Sequence, residues 1–73
     1  MQITIINTSK IVHLNAVPAR VWEGETDSGI QVICFVTRIM VASDKDISQF
    51  ERELKEVRPP SVESEAIPLR LVL

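Results

Sequence analysis

A chain of 73 residues, 45% hydrophobic but only 4% aromatic, forms one domain over 1–73 with a thin core of Ile, Val and Leu, because so short a domain buries only about 60% of its unfolded surface. The formal net charge is -2, from ten acidic and eight basic residues scattered along the chain. That balance disfavours binding to duplex nucleic acid and is too mild to imitate one. No run approaches the ~18 apolar residues of a membrane span, the N-terminus "MQITIINTSK" lacks a secretory pattern, and a lone Cys34 forms no internal disulfide. A soluble, cytoplasmic protein without membrane contact is expected.

The first elements are strands. "QITII" at 2–6 is short and β-branched, "NTSK" reads as a polar turn, and "IVHL" at 11–14 completes a first hairpin. Pro18 cannot donate to a ladder, so the next strand is expected to start late or to lie at an edge before running to about Glu23.

Thr26-Asp27-Ser28-Gly29 suits a type I turn with Gly29 in the left-handed conformation of a bulge. That turn sets a register: Thr26 opposes Ile30, Trp22 opposes Cys34, Arg20 opposes Val36 and Pro18 opposes Arg38, with Val21 facing Phe35 and Val17 facing Ile39. One face then carries Val17, Ala19, Val21, Ile33, Phe35, Ile39 and Val41, an apolar surface fit to receive a helix. The other carries Arg20, Trp22, Val32, Cys34, Val36, Arg38 and Met40, which is too greasy for plain solvent and too charged for a dry core.

"DISQFERELKEV" at 46–57 predicts a helix, with Asp46 as N-cap and Gln49 completing a capping box. Ile47, Phe50, Leu54 and Val57 form a narrow apolar stripe, and the charged remainder, including a Glu51 and Lys55 pair, reads as solvated surface. Pro59 and Pro60 stop the helix, and "AIPLRLVL" predicts a last strand with Ile67, Leu69, Leu71 and Leu73 on one side. The expected fold is α+β, a small antiparallel sheet with one helix on one face, in the order β-β-β-β-α-β.

Chemistry-bearing patterns are few. A Cys34 and His13 dyad would need two strands brought together and an orienting third group, and no catalytic residue is assigned. One His and one Cys cannot supply a zinc set, and Gly24 and Gly29, both read as turn glycines, cannot build a phosphate loop, so neither metal nor cofactor is expected. The acidic stretch "EGETDSG" reads as a soluble turn, with an exposed recognition tip as the sharper alternative.

Arg20, Trp22 and Arg38 remain. An indole beside guanidinium groups can stack on a planar base while the arginines bind phosphate oxygens. Trp, Arg and Met are equally the residues that protein interfaces favour, so the plain reading is a self-association surface. A pocket at a subunit junction would satisfy both.

The segments "VPARVWEGETDSGIQV", "SQFERELKE" and "PPSVESEAIPLRLVL" resemble small phage and prophage proteins over most of the chain. The resemblance carries over no site residue. It implies a non-enzymatic protein that inhibits or sequesters a host component, sometimes as an oligomer that binds nucleotide signals. The reading taken forward is a homo-oligomeric binding protein that captures a small anionic ligand at Arg20, Trp22 and Arg38. The alternative is a module that inhibits or adapts a host protein through the hairpin or a sheet edge.

Overall fold

A computed structural model describes residues 1–61. They form three strands and one helix: β1 (Ile3–Leu14), β2 (Val17–Thr26), β3 (Gln31–Val36) and α1 (Ile47–Leu54), the helix entered through a short 3-10 turn, Asp44–Asp46. The strands make one antiparallel sheet in the order β1-β2-β3. The protein is therefore α+β, but the expected four strands before the helix are three. The expected last strand, Ile67 to Leu73, lies outside the described residues.

The missing strand boundary is at "NTSK". Residues 3–14 are a single strand whose register shifts between Asn7 and Ile11: Asn7 pairs with Trp22 and Ile11 with Arg20, so Thr8, Ser9 and Lys10 together oppose Val21. This enlarged bulge holds two extra residues, an even number, so the strand resumes on the face it left. Its polar residues replace the ladder bonds it breaks. Thr8 Oγ1 donates to the Val21 carbonyl at 2.7 Å and accepts from Lys10 N–H at 3.3 Å. Ser9 N–H donates to the Arg58 carbonyl at 2.8 Å, beside a parallel bridge between Thr8 and Arg58. A polar run that mimics a turn in sequence is thus a bulge that receives the chain leaving the helix.

The actual first turn is Asn15-Ala16, between the Leu14 and Val17 pair. Both residues have positive φ, 51° and 66°, as a two-residue type I′ hairpin requires. Asn tolerates that conformation and Ala does so at a cost. Pro18 lies within β2, which is the central strand. Since β3 ends at Val36 opposite Arg20, Pro18 sits where β2 has one described neighbour and a missing donor is tolerated.

The second hairpin matches its sequence. Gly29 has φ 87°, its N–H donates to the Thr26 carbonyl at 3.0 Å, and Thr26 N–H donates to the Ile30 carbonyl at 3.0 Å. Thr26 Oγ1 accepts from Ile30 N–H at 3.1 Å, so the side chain repeats the backbone closure. The register follows as read: Trp22 opposes Cys34, Arg20 opposes Val36 and Val21 opposes Phe35. The expected pairs of Pro18 with Arg38 and Val17 with Ile39 do not form, because the strand has ended. Gly24 is not a turn residue. It sits inside β2 between Ile5 and Val32, where a Cβ would collide with the Thr4 carbonyl.

The helix starts after Asp46 as expected but differs in its capping, its end and its face. Asp46 makes no side-chain cap bond, and capping falls to Ser43, whose Oγ accepts from Lys45 N–H at 3.4 Å ahead of the 3-10 turn. The helix ends at Leu54, three residues before Val57, where the Asn7 side-chain amide donates to the Leu54 carbonyl at 2.9 Å. Asn7 is the partner of Trp22, so α1 lies on the Trp22 face, not on the face of Ala19 and Val21. The reason is on that second face. There Ala19 and Val21 are 1% and 0% exposed, but Glu23 lies beside them at 8%, and the chain after the helix crosses the bulge to reach it.

Glu23 belongs to the stretch read as a soluble turn, with an exposed recognition tip as the alternative, but it lies buried within β2. Its Oε2 accepts from Ser61 N–H at 2.9 Å and Ser61 Oγ at 2.7 Å, and its Oε1 pairs with Arg58 Nη2 at 3.3 Å. A buried carboxylate demands such partners. Together these bonds strap residues 58–61 across the sheet.

Candidate functional site

Arg20 and Trp22 are two apart on β2 and project from one face of the sheet. Arg38 follows the end of β3, in the segment that leads back over that face to the helix. The sheet and the helix leave between them a cavity of about 240 Å³, lined by all three of these residues. Its apolar walls come from both layers: Ile11 and Val36 beside Trp22 on the sheet, and Phe50 and Leu54 from the helix. Phe50 and Leu54 are thus one wall of the site, on the face opposite to the one expected for the helix, whereas Ile47 and Val57 of the expected stripe are exposed.

The two arginines are held differently. Arg20 is half-buried and its Nη1 donates to the Thr8 carbonyl at 2.8 Å. Thr8 is fully buried within the bulge, so the bond fixes the guanidinium and gives a turned-in carbonyl its partner. A guanidinium has five N–H donors, so most of its donating capacity is left for a ligand. Arg38 is exposed and makes no hydrogen bond or ion pair among the described residues. One cation is therefore fixed in the wall and the other is exposed and unbonded among the described residues, a pairing suited to an anion that enters from solvent.

A second concavity of about 320 Å³ adjoins the first and shares Arg20 and Leu54 with it; Glu51, Lys55 and Val57 complete its lining. The expected Glu51 and Lys55 ion pair does not form. Sequence reasoning missed this feature, and also the role of Phe50 and Leu54 as site walls, because both depend on which sheet face takes the helix.

Other candidates separate. Cys34 opposes Trp22 on β3, whereas His13 opposes Pro18 on β1. The central strand lies between them, and four positions along it put them about 13 Å apart along the strand direction. No dyad is assembled. Among the described residues no three His, Cys, Asp or Glu side chains gather as a metal set, and no helix is long and apolar enough to cross a membrane.

Scans against protein-family models, curated proteins and solved structures find no match for this chain.

Proposed function

We propose that the protein is a non-enzymatic binding protein that sequesters a small anionic, nucleotide-like ligand at Arg20, Trp22 and Arg38, as a phage-type accessory or anti-defence protein acting as an oligomer in the host cytoplasm. The observation that carries this reading is the joint lining of one cavity by an indole, a phenyl ring and two guanidinium groups. Trp22 and Phe50 offer aromatic surface for a planar base, Arg20 a fixed fork for phosphate oxygens, and Arg38 an exposed charge to draw the anion in. The volume suits a ligand held by its base and one phosphate, with the remainder in solvent. Isothermal calorimetry with a panel of nucleoside monophosphates tests the reading. Saturable binding by one or more, weakened by Arg38→Ala and by added salt, supports it; silence across the panel removes it.

A second reading is favoured by a separate observation. Among the described residues β3 is paired on one side only, and the residues that follow include Ile39 and the 89% exposed Met40. A strand edge continued by exposed apolar groups suits protein contact, either with a second copy or with a host protein that the module inhibits or adapts. Light scattering separates these uses: a mass above 8.2 kDa that falls to the monomer in Met40→Lys supports self-association through this rim.

A further inference from the structure

We propose that the site takes a ligand with a second anionic group, seated between Arg20 and Lys55 in the adjoining concavity. The proposal rests on the nucleotide-binding reading above and specifies its ligand: a nucleoside diphosphate or a phosphodiester-linked dinucleotide fits, a nucleoside monophosphate leaves half the site empty.

The geometry is as follows. The two concavities meet at Arg20 and Leu54, which line both. Arg20 is pinned at Nη1 by the carbonyl of the buried Thr8, so its position is set before any ligand arrives. The remaining donors of the planar guanidinium serve both concavities that it lines. The first concavity has the aromatic groups and Arg38. The second has no aromatic residue and holds Arg20, Lys55 and Glu51 as its charged groups.

Charge fixes the kind of group that fits. Glu51 on the helix and Lys55 at its C-cap stand one turn apart, a spacing at which they commonly pair, yet no ion pair joins them, so among the described residues the ammonium is uncommitted. One carboxylate against two cations leaves a net charge of about +1 in this lobe. That suits a single further phosphate and opposes a longer polyanion, whose additional charges would meet Glu51.

The test is a comparison of adenosine, guanosine, cytidine and uridine mono- and diphosphates by calorimetry, with wild type and Lys55→Gln. For at least one base, the diphosphate is expected to bind wild type about tenfold more tightly than the monophosphate, a difference of about 1.4 kcal/mol. Lys55→Gln should bring that ratio close to one without lowering the melting temperature, since Lys55 is exposed. Equal affinity of wild type for both forms, or an unchanged ratio in Lys55→Gln, overturns the second subsite and leaves the base-binding reading intact. Failure of every nucleotide to bind overturns both.

Discussion

Replacing Arg20 by alanine should unsettle the fold as well as the site, and the structure gives the size of the effect. Arg20 Nη1 donates to the Thr8 carbonyl at 2.8 Å, and Thr8 is 0% exposed, so after truncation that carbonyl loses a charged donor in a place water reaches poorly. Removing a hydrogen bond to a charged group costs about 1.5 to 3 kcal/mol, and loss of the aliphatic stem from the cavity wall adds to it. For a domain of this length total stability is roughly 4 to 11 kcal/mol, so Arg20→Ala should consume a large share and lower the melting temperature by on the order of 10 °C. Arg38→Ala removes a charge of equal sign from the same cavity but breaks no bond, and should stay within about 0.5 kcal/mol of wild type. Urea unfolding followed by Trp22 fluorescence measures both. Equal midpoints for the two variants would refute the claim that Arg20 braces the bulge, and with it the contrast between one bonded and one unbonded cation.

Other substitutions probe the parts that position the site. Gly24→Ala forces a methyl group into the Thr4 carbonyl and should cost about 1 to 3 kcal/mol by pushing β1 from β2, whereas Gly29→Ala, with open space around its Cβ but φ 87°, should cost about 1 kcal/mol; urea midpoints that reverse this order would contradict the register. Ala16→Gly relieves the positive φ of 66° and should raise the stability slightly, by up to about 1 kcal/mol, read as a higher thermal midpoint, once the added freedom of the unfolded chain is set against the relief; a loss of stability would argue against the type I′ turn. Phe50→Ala should cost about 2 to 4 kcal/mol because the ring is half-buried against the sheet, while Ser48→Ala on the exposed side should change little. Equal, benign melts for those two would mean that α1 does not dock by this stripe.

The parts of the fold legible in sequence were those with local chemistry. Thr26 to Gly29 specified a turn whose glycine must be left-handed, and the register of β2 against β3 followed as far as Arg20 and Val36, including the placement of Arg20 and Trp22 on one face, but not to the expected pairs of Pro18 with Arg38 and Val17 with Ile39. Asn7 to Lys10 misled because the polar side chains that favour turns also favour bulges, for the same reason: each can bond to nearby backbone. Asn15-Ala16 went unread because the second position of a type I′ turn is normally glycine. The helix face was not legible at all. Alternation divided the sheet into one apolar and one mixed surface and favoured the apolar one, but the choice depends on Asn7 reaching the end of the helix and on Glu23 drawing the following segment to the opposite side. Glu23 looked like one of three acids near a hairpin tip, and only the parity of its strand position marked it as inward-facing. The three site residues were therefore named from composition and register, whereas their enclosure by Phe50, Leu54 and Ile11 is a long-range outcome.

Trp22 is the single tryptophan of the chain and it lines the proposed ligand cavity, so under folding conditions a change in tryptophan emission on adding ligand comes from a residue of that cavity. Titrating the protein with the nucleotide panel, with excitation at the red edge of the indole band to avoid absorption by the bases, tests the central claim most directly. A base stacked on Trp22 should quench or shift its emission saturably, and Arg38→Ala should move the midpoint to higher ligand concentration at an unchanged melting temperature. Emission that no nucleotide alters would contradict the assignment of Arg20, Trp22 and Arg38 as a ligand site.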